Sequence, residues 1–256
     1  MVGPTAETGS LLDRLDDGKV ISLGVLSGAE LCALGATEHP VCWGALRGAW
    51  WKLDQKERAH FVETSALSLL HRDLIKDTPL GRGGAALPAA TAYQLSAELG
   101  VLLDARRSPA LIIATHHESR TPAISYFQGR GASAIVEEIP ERAGKGRPSS
   151  TRSPLSVIFS YRLLTPAFTA RELARWACKP IPVARYQPRA PRLIGFFGGG
   201  DGDGDGDCPG SYQLNIHAGG GVAHVDGPDI SADLGREELT RLLSDIITTW
   251  DVARAF

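Results

Sequence analysis

The hydrophobic period of this chain changes partway along, and that change constrains its fold more than any other feature. Between Asp54 and Arg107, apolar residues recur at three- and four-residue intervals: Ala59, Val62, Ala66 and Leu69, then Ala92, Leu95, Leu99 and Leu102. Such intervals align side chains in one stripe along a helix. From Pro109 onward, β-branched and aromatic runs take over at residues 110–114, 123–127, 134–136 and 155–161. These predict consecutive antiparallel strands. The combination specifies an α+β fold: antiparallel sheets with packed helices.

Local signals refine the outline. Asp54 with Glu57 three residues later is a capping-box pair, and it opens the first long helix. Pro88 stands where a first-turn proline is tolerated, so the second helix is expected to run from there to near Arg107. Thr169 and Glu172 predict another capped helix, through Leu173 and Trp176, stopping before Pro180. Residues 20–26, broken by Gly, read as a short strand or an irregular packing segment, and residues 193–197, 212–217 and 222–225 read as strands. Leu239, Leu242, Leu243, Ile246 and Ile247 mark a final helix. Strands, helix, strands, helix occurs twice in outline. The expectation is a single unit over residues 1–256 built from two similar halves, 40–180 and 190–250, in a quasi-two-fold arrangement. Segments 141–153 and 198–210, rich in Gly, Pro, Ser and Asp, are expected to be flexible.

Bulk properties exclude several classes. An apolar fraction of 43% with 22% charged residues predicts a folded core. A net charge of -2 gives no pull toward phosphate backbones, and the basic cluster Arg142, Lys145, Arg147 and Arg152 sits in a loop-like stretch, so nucleic acid is not an expected partner. No run approaches the roughly 18 apolar residues of a membrane span, and the first residues carry no positively flanked apolar segment. A cytoplasmic protein is expected. Cys32, Cys42, Cys178 and Cys208 have no C-x-x-C spacing and read as free, mostly buried thiols.

Candidate chemistry is thin. Asp201, Asp203 and Asp205 with Gly206 imitate the start of a calcium-binding EF-hand loop, but position 12 is Tyr212 where a bidentate Glu is needed. The tract reads as a flexible acidic insertion, with weak calcium binding by its carboxylates as the other reading. His116, His117 and Glu118 could offer metal ligands, yet neighbours in a strand face opposite ways. His60 and His71 are eleven residues apart on one helix, about 16 Å, too far for one ion. Gly81, Arg82, Gly83 and Gly84 form a linker without the preceding strand a dinucleotide site requires. No nucleophile elbow, zinc helix or P-loop is present. No catalytic, cofactor-binding or metal residue is assigned, and no cofactor is expected. The alternative is a small-molecule enzyme whose pocket uses His116, His117, Glu118 or a cysteine.

The runs Pro40-Val41-Cys42-Trp43-Gly44, Leu53-Asp54-Gln55-Lys56-Glu57-Arg58 and Leu69-Leu70-His71-Arg72-Asp73-Leu74 resemble the opening of the EspG family associated with ESX, or type VII, secretion. The later order of elements, including Arg192-Leu193-Ile194 and a last hairpin and helix, is similar to that family's second half. Asp73 departs from the pattern, since a Gly is common after the Arg, and so does the Gly/Asp insertion. The resemblance implies a non-enzymatic cytoplasmic chaperone that binds apolar tips of helical secreted substrates of the PE/PPE type. The projecting hairpin residues Gln128, Gly129, Arg130 and Gly131 are the candidate partner contact.

Overall fold

Ser27 ends one element and starts the next. It closes strand β1 (Ile21–Ser27) and caps helix α1 (Gly28–Ala33): the Glu30 N–H donates to Ser27 Oγ at 3.2 Å, and the Ser27 N–H donates to Glu30 Oε2 at 2.7 Å. This reciprocal box satisfies two backbone donors that the first helical turn leaves free. The computed structural model describes residues 15, 20–39, 44–77, 93–117, 120–127, 134–138, 153–178, 192–198, 212–219 and 222–252. The chain partitions into two units, one holding Leu23–Arg107 and Arg142–Tyr161, the other holding Ser108–Glu141 and Arg162–Phe256.

In the first unit, a short 3-10 turn (Ala36–Glu38) follows α1, and helix α2 (Gly44–Lys52) leads through Asp54 to helix α3 (Gln55–His71). The expected Asp54–Glu57 box forms, with 2.8 Å bonds in both directions. Helix α1 packs against α3. That packing turns α3 away from the expected stripe: Leu69 is buried and Val62 and Ala66 are half-buried, but Ala59 is exposed and Ser65 is buried. Polar contacts explain the turn, because Glu30 Oε1 accepts from Ser68 Oγ at 2.7 Å and from Arg72 Nη2 at 2.9 Å. The helix ends in a Schellman motif. The Leu74 N–H donates to Leu69 O and the Asp73 N–H to Leu70 O, both at 3.0 Å, with Asp73 in the left-handed region at φ 55°.

Strand β2 (Ile75–Asp77) pairs antiparallel with β3 (Tyr93–Leu95). Leu95, expected in a helix opened by Pro88, is therefore a strand residue, while Pro88 and Ala92 lie outside the described residues. Helix α4 (Ala97–Arg107) starts after it, with Ser96 Oγ accepting the Leu99 N–H at 3.2 Å. Leu99 and Leu102 are buried, as their spacing predicts. Arg106, also buried, donates from Nη1 to the Tyr161 hydroxyl at 3.4 Å.

The second unit is built on an antiparallel sheet. Its strands are β4 (Leu111–His117), β5 (Arg120–Phe127) and β6 (Ala134–Glu138), then, after β7 (Ile158–Leu164) at the division between units, β8 (Arg192–Gly198), β9 (Tyr212–Gly219), β10 (Val222–Gly227) and β11 (Ile230–Gly235). They lie in the order β6-β5-β4-β8-β9-β10-β11. Helices α5 (Pro166–Cys178) and α6 (Arg236–Val252) pack on each other and on one sheet face. The core there joins Ile113, Ile194, Phe196, Leu214, Ile216, Ala223 and Val225 of the strands to Ala170, Leu173, Ala174, Leu239, Leu243 and Ile247 of the helices. Alternation along each strand and 3.6-residue periodicity along each helix produce that match.

The cap of α5 differs from the expected one. Thr165, not Thr169, accepts the first-turn N–H, from Phe168 at 3.2 Å; the Thr169 hydroxyl donates to Thr165 O at 3.0 Å inside the helix, and Glu172 pairs with Arg162 at 2.9 Å. Pro166 at the first helical position fixes this start. Buried Arg192 donates from Nη1 to Ala177 O and stacks its guanidinium 5.4 Å from the Trp176 ring, placing positive charge at the end of α5. The fold is α+β with antiparallel sheets and packed helices. Among the described residues no helix is long and apolar enough to cross a membrane.

Candidate functional site

Successive strand residues point to opposite faces, so burial of Ile194, Phe196, Leu214, Ile216, Ala223 and Val225 beneath the helices sends their neighbours to the other face. Register fixes what lies side by side there. Ile112 pairs with Phe197 and Ala114 with Gly195; Leu193 pairs with Asn215 and Gly195 with Gln213. The result is an apolar strip on β4 and β8. Phe197 is 42% exposed, and its ring lies over Gly195, where an added Cβ would sit 2.7 Å from Phe197 Cε2. Only a residue without a side chain leaves room for that ring.

Beyond the strip, the same face becomes polar. Gln213, Asn215 and His217 on β9 give way to His224 and Asp226 on β10, then Ser231 and Asp233 on β11. Two rows cross the strands: His217, His224 and Asp233 in one, Asn215, Asp226 and Ser231 in the next. His224 Nδ1 lies 2.8 Å from Asp233 Oδ1, and the His217 and His224 rings are 6.4 Å apart between centroids. Gln213 Nε2 donates to Asn215 Oδ1 at 3.2 Å. The exposed Phe197 ring thus stands beside half-buried Ile112, Ala114 and Leu193, next to a polar border.

Sequence-predicted site residues distribute unevenly. Gln128, Gly129, Arg130 and Gly131 lie outside the described residues, but the chain leaves β5 at Phe127, level with Leu111 and hence with Gly198, the end of the sheet that carries Phe197. His116 sits opposite Leu193, and His117 opposite Arg120; Glu118 lies outside the described residues. His60 and His71 are exposed on α3. Cys32 is buried and Cys178 is a half-buried free thiol, while Cys42 and Cys208 lie outside the described residues. Burial pushes the Cys178 thiol up, against an opposing pull from Arg236 and Arg192, which favours the weakly nucleophilic protonated form. Asp201, Asp203, Asp205, Gly206 and Asp207, with residues 141–152, also lie outside.

Among the described residues no three His, Cys, Asp or Glu side chains are grouped to hold one metal ion. A shallow depression at the start of α6 is lined by Gly235, Arg236, Glu237, Glu238 and Arg241. Its Glu238 carboxylate is engaged as a cap, accepting the Gly235 N–H at 2.8 Å. The residues that sequence reasoning did not single out are Phe197 and the row His217, His224 and Asp233; the alternation of residues 213–217 and 222–226 was visible, but its cross-strand partners were not. No protein-family model matches the chain, and no curated protein or solved structure does either.

Proposed function

We propose that this chain is a non-enzymatic cytoplasmic binding protein, a chaperone that covers the apolar tips of helical substrates of type VII secretion. The observation that carries the reading is the apolar strip of Ile112, Leu193 and Phe197, bordered by the polar residues of β9, β10 and β11. Burying a ring such as that of Phe197 against a partner removes apolar surface from water at roughly 25 cal/mol per Å². A central apolar contact with a polar rim provides affinity at the middle and selectivity at the edge. The class of partner comes from the likeness of residues 40–44, 53–58 and 69–74 to the EspG family. Strand β5 ends at Phe127, level with the end of β8 that carries Phe197, and Gln128, Gly129, Arg130 and Gly131, next in the chain, are proposed as a further contact.

The test is affinity capture of the tagged chain from its source organism, with mass spectrometry, beside a Phe197→Asp variant of matched thermal stability. Capture of small helical secreted proteins by the unmodified chain, reduced tenfold or more in the variant, is the expected outcome. Recovery of no such protein, together with turnover of a metabolite by the purified chain, would overturn the reading.

A further inference from the structure

We propose that His217 and His224 hold one divalent transition-metal ion on the exposed face of the β9-β10-β11 meander, with Asp233 acting as the positioning residue. The three side chains occupy one row: His217 is the register partner of His224, and His224 of Asp233. Facing residues on adjacent antiparallel strands have Cβ atoms about 4.5–5.5 Å apart, so one ion can lie between two facing imidazoles. The rings of His217 and His224 are 6.4 Å apart between centroids and inclined by 44°. With metal–nitrogen bonds of about 2.0–2.1 Å and about 1.1 Å more from nitrogen to ring centre, two imidazoles on one ion have centroids about 5.2 Å apart at a tetrahedral angle and about 6.4 Å apart only when the nitrogens lie in line across it. The observed pair has the in-line spacing, and χ rotations that bring the rings about 1 Å closer give the tetrahedral one.

The His224–Asp233 contact determines which nitrogen is available. An ionised carboxylate only accepts hydrogen bonds, so at 2.8 Å from Asp233 Oδ1 the His224 Nδ1 carries the proton. That leaves the Nε2 lone pair free for a metal and fixes the ring's direction, the carboxylate–histidine–metal arrangement seen where a carboxylate orients a ligand. The side chain of His224 is 47% exposed and that of Asp233 75%, so an ion has a path in and water can complete its coordination. Two imidazole donors select Zn²⁺, Ni²⁺ or Cu²⁺ over the oxygen-seeking Mg²⁺ and Ca²⁺. With Asp233 engaged at Nδ1, the site has two protein donors, consistent with the lack of any three-residue cluster among the described residues.

The experiment is calorimetric titration of the full chain with zinc chloride, alongside His217→Ala, His217→Gln, His224→Ala and Asp233→Asn. One ion per chain is expected, with affinity reduced tenfold or more by each histidine change and about tenfold by Asp233→Asn. Two-dimensional ¹⁵N NMR of the imidazoles separates positioning from a merely structural role: His224 carries its proton on Nδ1 in the unmodified chain and mixes tautomers in Asp233→Asn. X-ray absorption at the zinc edge should show nitrogen and oxygen neighbours without sulfur. Failure of the unmodified chain to bind zinc, unchanged affinity in the histidine variants with native circular dichroism, or a sulfur shell at the metal would each overturn the proposal.

Discussion

Arg72, at the end of α3, donates from Nη2 to Glu30 Oε1 of α1 at 2.9 Å, while its Nη1 donates to the Val25 carbonyl at 2.8 Å. One side chain thereby joins a strand, a short helix and a long one. Glu30 also takes bonds from the Ser27 N–H and Ser68 Oγ, so a six-residue helix too short to hold itself is fixed at its first turn. The Glu30 side chain is 8% exposed and that of Arg72 33%. Removing Glu30 therefore leaves three donors without their acceptor at a part-buried site. Glu30→Ala is expected to cost about 2–4 kcal/mol and Arg72→Ala about 1–2 kcal/mol. Urea unfolding of both and of the double variant checks this, and the double variant should fall short of the sum of the two.

Glycines in the first unit carry opposite predictions. A Cβ at Gly28 would lie 2.5 Å from Pro154 O and 2.8 Å from Leu46 Cδ1. The backbone oxygen cannot rotate away, so Gly28→Ala should destabilise by about 1–3 kcal/mol. Gly48, inside α2, has nothing within 4 Å of that position. Gly48→Ala should stabilise by about 0.5–1 kcal/mol through the unfolded chain. Thermal melts of the two variants should shift in opposite directions.

Asp73 fills the left-handed position of the Schellman motif that ends α3. A side chain there is strained where glycine is not. Asp73→Gly is expected to raise stability by about 0.5–1 kcal/mol, measured by urea unfolding, although the change removes a side chain.

His39 gives the first unit a pH dependence. Its ring is buried, and among the described residues its Nδ1 has no hydrogen-bond partner. Burial, then the charges of Arg106 and Arg107, push the imidazole from 6.5 to about 4. Between those values the unfolded chain binds the proton and the folded one does not, so stability rises with pH across the window. This contribution is complete above the unfolded value and is lost progressively as pH falls toward 4, about 3 kcal/mol in all. Unfolding free energies across that range should show the slope in the unmodified chain and a shallower one in His39→Gln.

The sequence signals that survived were those set by one element alone. The Asp54–Glu57 box, the β-branched runs of β4 to β6, and the Leu239 to Ile247 stripe each depend on neighbours within a few residues. Signals failed where a longer-range contact decided. Ala59 is exposed and Ser65 buried because Glu30, 38 residues before Ser68, sets the face that α3 presents. Leu95 became a strand residue because Ile75 pairs with it. The Ser27–Glu30 box was written in the sequence but hidden by the apolar run before it, and α2, with Gly44 and Gly48, lacks strong helix formers. Strand β11, with Ser231, Ala232 and Asp233, has little β-branched character and is held by its pairing to β10. The row His217, His224 and Asp233 exists only through that register.

The most direct measurement places a photo-cross-linking phenylalanine analogue at position 197 in cells of the source organism, with a second chain carrying it at Arg241 on the outer side of α6. If the face that carries the exposed Phe197 ring is the contact surface, small helical secreted proteins become attached at 197 and not at 241. Attachment of such proteins at 241 alone, or of none at either position, would contradict it.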